Sequence, residues 1–140
     1  MQADALVLSR QIEHGELRPS ELMARTLSRI AATNPQVNAI VSLRDHEALM
    51  QEAKAADIAP RKGWLHGIPM AIKDLSNVAG LPTTKGSPLF DGIVSDRDDL
   101  VVRRLRASGA IIIGKTNTPE FGLGSHTYNP VFGATRNPYD

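Results

Sequence analysis

The chain has 140 residues, with 16 lysines and arginines against 15 acidic residues and a formal net charge of +1. Its hydrophobic fraction of 41%, together with 11 glycines, is typical of a globular chain and excludes wholesale disorder, and the length fits one domain or part of a larger one. The balanced charge and the scarcity of aromatic residues argue against nucleic acid as a partner, and the absence of cysteine excludes disulfides, thiolate catalysis and cysteine-based zinc sites.

The first elements in chain order are helical. Residues 3–14 carry apolar side chains at helical spacing, and Gly15 is expected to end this first helix. Pro19 opens a second helix, because proline is favoured in the first turn. Pro35 is expected to end it at residue 34, because proline disfavours the helical conformation of the residue before it.

A short β-rich run follows over residues 38–43, and an alanine-rich amphipathic helix is predicted over residues 45–57. Residues 59–63 then form a turn-like break. Beyond the break, the apolar run 68–72 predicts a buried strand that ends at Lys73. Residues 75–95 are rich in glycine, proline, serine and threonine and predict a loop.

A further helix is predicted over residues 96–108. Ser95 is suited to cap its start, and the acidic side chains that follow suit the first turn, namely Asp96, Asp98 and Asp99. The predicted buried stripe consists of Leu100, Val101 and Leu105. Gly109 is the expected stop.

The β-branched run 110–113 predicts a buried strand directly after that helix. Strand, helix and strand form a βαβ unit, so the two strands are expected to be parallel. Thr118 and Pro119 are typical of the cap and first position of a brief helix. The predicted fold class is α/β, entered through a helical N-terminal segment.

A phosphate-loop pattern occurs at residues 109–116, letter for letter. We reject it, because its middle contains three consecutive isoleucines, which favour extended backbone, and because it begins at a helix end instead of after a strand. The four histidines lie too far apart for a metal motif. Ser125 and His126 are sequence neighbours, which rarely have the geometry of a nucleophile and its base. We assign no metal and no cofactor.

Lys73 is the candidate with chemical interest. It ends an apolar run, so its ammonium is expected at the end of a buried strand, where loss of water lowers a lysine's pKa toward values that allow a neutral base. The alternative is an ordinary surface or ion-paired lysine, with Asp74 as one candidate partner.

Several motifs along most of the chain resemble those of the amidase signature enzymes, serine hydrolases that use a Ser–cis-Ser–Lys triad. The resemblance rests on residues 66–74, 80–87, 98, 102–106, 109–117, 120–122 and 131–140. It implies that residues 1–140 are the N-terminal part of a single amidase domain, with a helical segment over 1–58 and the start of the α/β core over 64–140. The fold that it implies is this helical segment leading into part of a mixed β-sheet flanked by helices.

The resemblance also implies that Lys73 is the catalytic lysine of an amidase that cleaves a small-molecule amide through an acyl-serine intermediate. In that family both serines follow the segment that matches residues 137–140, so we do not transfer their roles to Ser87 or Ser125. We therefore expect the 140-residue chain to be inactive alone and to aggregate or to be only partly ordered.

Two other functions stay open. Within the family, the chain could belong to a subunit that releases ammonia for tRNA-dependent amidation. Outside it, the chain could be a non-catalytic remnant or a binding module that kept the N-terminal fold. The run lengths of apolar residues are far below the roughly 20 needed to cross a bilayer, and residues 1–4 do not start a secretory signal, so we expect a cytoplasmic protein. The particular amide substrate and the oligomeric state stay open, with a homo-oligomer as one alternative.

Overall fold

The computed structural model describes residues 4–139, which form four helices and two β-sheets. The helices are α1 (Ala5–Glu13), α2 (Pro19–Val37), α3 (His46–Ile58) and α4 (Leu100–Ala107). The larger sheet contains β1 (Ile40–Leu43), β2 (Pro69–Lys73) and β3 (Ile111–Thr116), and a two-stranded ribbon contains β4 (Tyr128–Asn129) and β5 (Gly133–Ala134). Short 3₁₀ turns cover Pro88–Phe90 and Glu120–Gly122.

The larger sheet has the order β1-β3-β2, so β3 is its central strand. β2 and β3 are parallel and are connected through α4, which confirms the predicted βαβ unit. β1 pairs with β3 in the antiparallel direction. The sheet is therefore mixed, and its parallel pair ends with Lys73 opposite Thr116.

Two apolar clusters cover the faces of this sheet. Alternate residues of β3 contribute to them, because successive side chains of a strand point to opposite faces. Ile112 belongs to the cluster that contains Val102 of α4, whereas Ile111 and Ile113 belong to the cluster that contains Met23 of α2 and residues of α3. Helices thus flank the sheet on both sides, as predicted for this fold class.

The predicted end of α2 is wrong, because the helix passes through Pro35 and ends at Val37. The side chain of Asn34 stabilises this last turn: its Oδ1 accepts hydrogen bonds from the N–H groups of Ala39 at 2.9 Å and Ile40 at 2.8 Å. Asn38, at φ 55°, ends the helix in the left-handed conformation that asparagine tolerates.

The predicted start of α4 is also wrong. The helix begins at Leu100, and Ser95 bonds to the backbone of Arg97 instead of capping it. Asp98 and Asp99 bind the preceding loop: they accept hydrogen bonds from the N–H groups of Ala79 and Asn77, each at 2.8 Å. Asp96 lies before the helix as well.

The predicted buried stripe of α4 is wrong in part. Val102 is fully buried and Leu105 packs against the core, but Leu100 and Val101 are 55% and 51% exposed. The predicted stop is confirmed. Gly109 follows the helix at φ +94°, and an added Cβ would lie 2.6 Å from the Cα of His66, so only glycine fits.

The brief helix predicted after Thr118 exists as the turn Glu120–Gly122, but Thr118 does not cap it. Its hydroxyl donates to the carbonyl of Pro119 at 3.0 Å, and Pro119 occupies the cap position. Across residues 4–139, no helix has both the length and the apolar character that crossing a bilayer requires.

Candidate active site

Lys73 is the last residue of β2, at the end of the parallel pair where both strands finish. The main chain here is fixed on both sides. The N–H of Asp74 donates to the carbonyl of Thr116 at 2.9 Å, and the carbonyl of Lys73 accepts from the N–H of Ser76 at 3.1 Å. The sheet and the following turn therefore hold the main chain of Lys73 in place.

The side chain of Lys73 is exposed, which corrects the expectation that the strand end removes its amine from water. The reason is that β2 is an edge strand and Lys73 is its last residue, so little packs over it. No residue of the described part of the chain forms a hydrogen bond or an ion pair with its amine. The Lys73 amine is thus available to interact with groups outside the described residues.

Asp74 does not pair with Lys73, so the alternative of an ion pair between these two residues is wrong. Its partner is Lys115 of β3, whose Nζ lies 2.9 Å from Asp74 Oδ1. The pair is buried, because the two side chains are 0% and 1% exposed. By the register of the parallel strands, Lys115 lies opposite Ile72, whose side chain is in the apolar cluster on the α4 side of the sheet.

Lys115 has a complete set of acceptors for its three N–H groups. Besides Asp74, its Nζ donates to the carbonyl of Pro82 at 3.0 Å and to the hydroxyl of Thr83 at 2.9 Å. Burial lowers the pKa of Lys115 from its ordinary value, and the hydrogen bond and charge of Asp74 oppose that shift. Three hydrogen bonds, together with the charge of Asp74, therefore hold the Lys115 ammonium in place.

Asp74 also organises the loop that follows β2. Its Oδ2 accepts hydrogen bonds from the hydroxyl of Thr84 at 2.6 Å and from the Thr84 N–H at 3.1 Å. The Thr84 hydroxyl accepts in turn from the N–H of Gly86 at 3.0 Å. Ser87, the next residue, is buried, and within residues 4–139 its hydroxyl has no hydrogen-bond partner.

A second polar network follows the end of β3. Asn117 Oδ1 accepts from the side-chain amide of Asn129 at 2.6 Å, and Asn117 Nδ2 donates to the carbonyl of Gly133 at 3.1 Å. Asn129 Oδ1 accepts from the N–H groups of Val131 and Phe132. These bonds fix the segment over residues 117–133 beside the strand end that carries Lys73.

The other sequence candidates lie elsewhere. Residues 111–116 of the phosphate-loop pattern form β3, and its lysine is the buried Lys115, in agreement with our rejection of nucleotide binding. His66 is buried, with its Nε2 2.9 Å from the carbonyl of Ala56. Ser125 and His126 line a surface cavity of about 420 Å³ beyond the turn Glu120–Gly122.

Two features of this region were not predicted from the sequence, namely the Lys115–Asp74 pair and the Asn117–Asn129 network. For the pair, a signal was present. A lysine within an otherwise apolar β-branched strand needs a buried anion, and Asp74 follows the neighbouring strand directly. The asparagine network had no comparable signal, because its members are separated in sequence and not charged.

Comparison with known proteins finds a matching family and relatives of similar sequence. The profile of the family described as Amidase matches residues 21–140. The chain is 39% identical, over 97% of its length, to a subunit of the glutamyl-tRNA(Gln) amidotransferase of Acidothermus cellulolyticus. It is also 39% identical, over 96% of its length, to "Acylamidase" of Rhodococcus erythropolis.

Solved structures agree with this result. The native peptide amidase from Stenotrophomonas maltophilia is 35% identical, with a TM-score of 0.87 over 99% of this chain and 30% of that protein. A 6-aminohexanoate cyclic dimer hydrolase is 32% identical, with a TM-score of 0.86 over 99% of this chain and 28% of that protein. The chain also spans only 28% and 29% of the two curated relatives above.

Proposed function

The chain belongs to the amidase family, the amidase signature enzymes, and from this premise we propose that the complete protein is an amide hydrolase with Lys73 as its catalytic base. The observation that carries the proposal is the placement of Lys73. Its main chain is held at the end of the parallel strand pair, while its amine is exposed and has no partner within residues 4–139. A lysine engaged in an ion pair would not be available in this way.

The proposed reaction begins with proton transfer to the neutral amine of Lys73. A serine in a cis peptide relays this proton from the nucleophilic serine, whose oxygen then attacks the amide carbonyl carbon. The C–N bond breaks, the amine leaves with a proton, and water releases the acid from the acyl-serine. Both serines and the groups that stabilise the oxyanion belong, in this proposal, to residues beyond these 140.

The exposure of Lys73 defines what the rest of the protein must provide. A lysine acts as a general base near neutral pH only when its charged form is disfavoured by loss of water or by its neighbours. Within residues 4–139, the Lys73 residue is exposed. We therefore propose that the segments carrying the serines pack over the end of β2 and exclude water from Lys73.

Replacement of Lys73 tests the proposal. In the complete protein, Lys73→Ala is expected to lower kcat for amide hydrolysis by about 10²–10⁴-fold, the usual contribution of a general base. Turnover is measured as ammonia release from small primary amides and as aniline release from acyl anilides. Lys54→Ala is the matched control, since Lys54 is an exposed lysine on a different element, α3. Unchanged turnover in Lys73→Ala would contradict the proposed role.

A second candidate is the ammonia-releasing subunit of a tRNA-dependent amidotransferase. The observation that favours it is the 39% identity to an amidotransferase subunit, which equals the identity to the acylamidase. Both functions would use Lys73 in the same way. Ammonia release from glutamine that requires a partner protein would support the amidotransferase, whereas turnover of simple amides by the protein alone would support the stand-alone amidase.

We propose further that residues 1–140 alone do not hydrolyse amides, because the base is present without the two serines. The same ammonia and aniline assays on the purified 140-residue chain are expected to show no turnover above that of its Lys73→Ala variant. Turnover that disappears on this substitution would contradict the proposal. A complete protein inactive on every amide and on glutamine would favour the third alternative, a non-catalytic binding module.

A further inference from the structure

A buried ion pair is formed by the residue that follows the proposed base in the chain. Asp74 follows Lys73 in the chain, and its carboxylate is 2.9 Å from the ammonium of Lys115. The two charged side chains are withdrawn from water almost completely. An ion pair in such a place is costly to form, because each charge loses its hydration, and hydrophobic residues of similar volume are often at least as stabilising. Stability alone is therefore a weak explanation for the pair.

The position of Asp74 poses a chemical problem for the proposed function. An anion near a lysine favours the protonated form of that lysine. A base that must accept a proton needs the opposite, namely surroundings that favour the neutral amine. The carboxylate next to Lys73 in sequence would oppose catalysis if its charge were not balanced.

We infer that Lys115 is a positioning residue whose buried ammonium balances the charge of Asp74, so that Asp74 can anchor the loop after β2 without holding Lys73 in its protonated form. This inference rests on the proposed function of Lys73. It assigns the anchoring to the hydrogen bonds between Asp74 and Thr84, and the charge balance to Lys115.

The surrounding charges are consistent with this division of roles. Asp99, at the start of α4, acts on Lys115 through its charge, but its carboxylate is bonded to the amide groups of Asn77. Lys85, in the loop after β2, lies over the ring of Phe90 at 4.8 Å from the ring centre. On β3, Thr116 is the residue opposite Lys73 and carries no charge. Within residues 4–139, Asp74 and Lys115 thus form the buried ion pair that adjoins Lys73 in the chain.

The competing explanation is that the pair only fixes the loop mechanically. Under that explanation, loss of the pair would lower stability and kcat together, and the pH dependence of the remaining activity would not move. Charge balance predicts a different pattern. Replacement of Lys115 alone leaves the negative charge of Asp74, and replacement of Asp74 alone leaves the positive charge of Lys115. Replacement of both residues leaves no buried charge.

The experiment compares Lys115→Met, Asp74→Asn and the double variant in the complete protein, by the pH dependence of kcat/KM for an acyl anilide. Lys115→Met leaves the Asp74 anion unbalanced, so the acid limb is expected to move to higher pH by about one unit. Asp74→Asn leaves an unbalanced cation, so the acid limb is expected to move to lower pH. Lys54→Met removes an exposed lysine charge and is expected to leave the profile unchanged.

The double variant gives a test that does not depend on the folding of the single variants. The asparagine introduced at position 74 would keep an oxygen for Thr84, and no unpaired charge would remain buried. The expected result is a kcat/KM within about threefold of the parent value and an unmoved acid limb. A loss of more than about tenfold, or single variants whose acid limbs do not move apart, would overturn the inference. A parent protein that hydrolyses no amide, or one unaffected by Lys73→Ala, would instead overturn the proposed function.

Discussion

Lys115 carries a buried charge that its surroundings must compensate. All three of its N–H groups have acceptors at 2.9–3.0 Å, and one acceptor is the buried carboxylate of Asp74. Loss of one partner from a buried pair leaves the other charge without compensation, which costs far more than the pair contributes when intact. The geometry therefore makes the two residues interdependent.

This interdependence predicts a double-mutant cycle in stability. Lys115→Met is expected to lower the free energy of unfolding by about 3–5 kcal/mol, because Asp74 stays buried without its partner. The double variant Lys115→Met/Asp74→Asn is expected to recover most of that loss. Denaturant unfolding of the complete protein measures both values. Equal losses in the single and double variants would contradict the interdependence.

The pH dependence of stability follows from the pKa of Lys115, which burial holds below the ordinary value of 10.5. Between that lowered pKa in the folded state and 10.5, the unfolded chain binds more protons than the folded chain. Stability therefore rises with pH through this window. Relative to the double variant, the parent protein is expected to gain stability as the pH approaches 10.5. Denaturant unfolding at increasing pH measures this, and a parallel decline would contradict it.

At the scale of elements, β3 is the strand on which the sheet depends, because it pairs with both β1 and β2. Gly114 of β3 lies opposite Leu43 of β1. A Cβ added at Gly114 would overlap the carbonyl oxygen of Ser42, a backbone atom that moves only if the pairing changes. The glycine therefore allows the antiparallel pair to form.

Gly114→Ala is expected to disrupt the pairing of β1 with β3 and to lower the free energy of unfolding by about 3 kcal/mol or more, as overpacking against backbone does. Gly80→Ala is the control, since Gly80 has a positive φ of 79° but open space around it. That control is expected to cost about 1–2 kcal/mol from backbone strain alone. Hydrogen exchange at the N–H of Arg44, which bonds to Ile113, reports directly on the pairing. Equal effects of both substitutions would contradict the steric argument.

The elements that the sequence predicts well are those defined by local patterns. The isoleucine run of β3, the apolar run before Lys73 and the stop at Gly109 were all predictable, because periodicity and glycine conformation are local properties. The start of α4 was not, since Asp98 and Asp99 bond to a loop about 20 residues earlier. A capping pattern in sequence does not show which donors tertiary packing brings to the same carboxylate.

The site was predictable to a similar extent. Lys73 at the end of a strand followed from the apolar run, whereas its catalytic role is a proposal that rests on the resemblance of the surrounding motifs. The exposure of its amine did not follow, because it depends on β2 being an edge strand and hence on the strand order. The partner of Asp74 depends likewise on the parallel register that places β3 beside β2.

At the scale of the whole molecule, residues 4–139 present open surfaces that a stable isolated domain covers. Both outer strands of the sheet, β1 and β2, have one side without a strand partner in the described chain. Large apolar side chains are exposed as well, with Leu89 and Leu123 each at 80%. Unpaired strand edges and exposed apolar residues promote association.

The purified 140-residue chain is therefore expected to self-associate or to lack a cooperative unfolding transition. Light scattering after size-exclusion chromatography measures its mass, and thermal unfolding followed by circular dichroism measures its cooperativity. The complete protein is the control and is expected to unfold cooperatively. A monomeric 140-residue chain with a sharp transition would show that these surfaces do not need further segments.

The central claim is that the amine of Lys73 takes part in proton transfer with a serine, and a crystal structure of the complete protein at neutral pH tests it most directly. The distance to be measured joins Lys73 Nζ and the nearest serine Oγ. We expect it to be about 3 Å, with the amine covered by segments outside residues 1–140. An amine still in bulk water, with no serine hydroxyl within hydrogen-bonding reach, would contradict the proposed function.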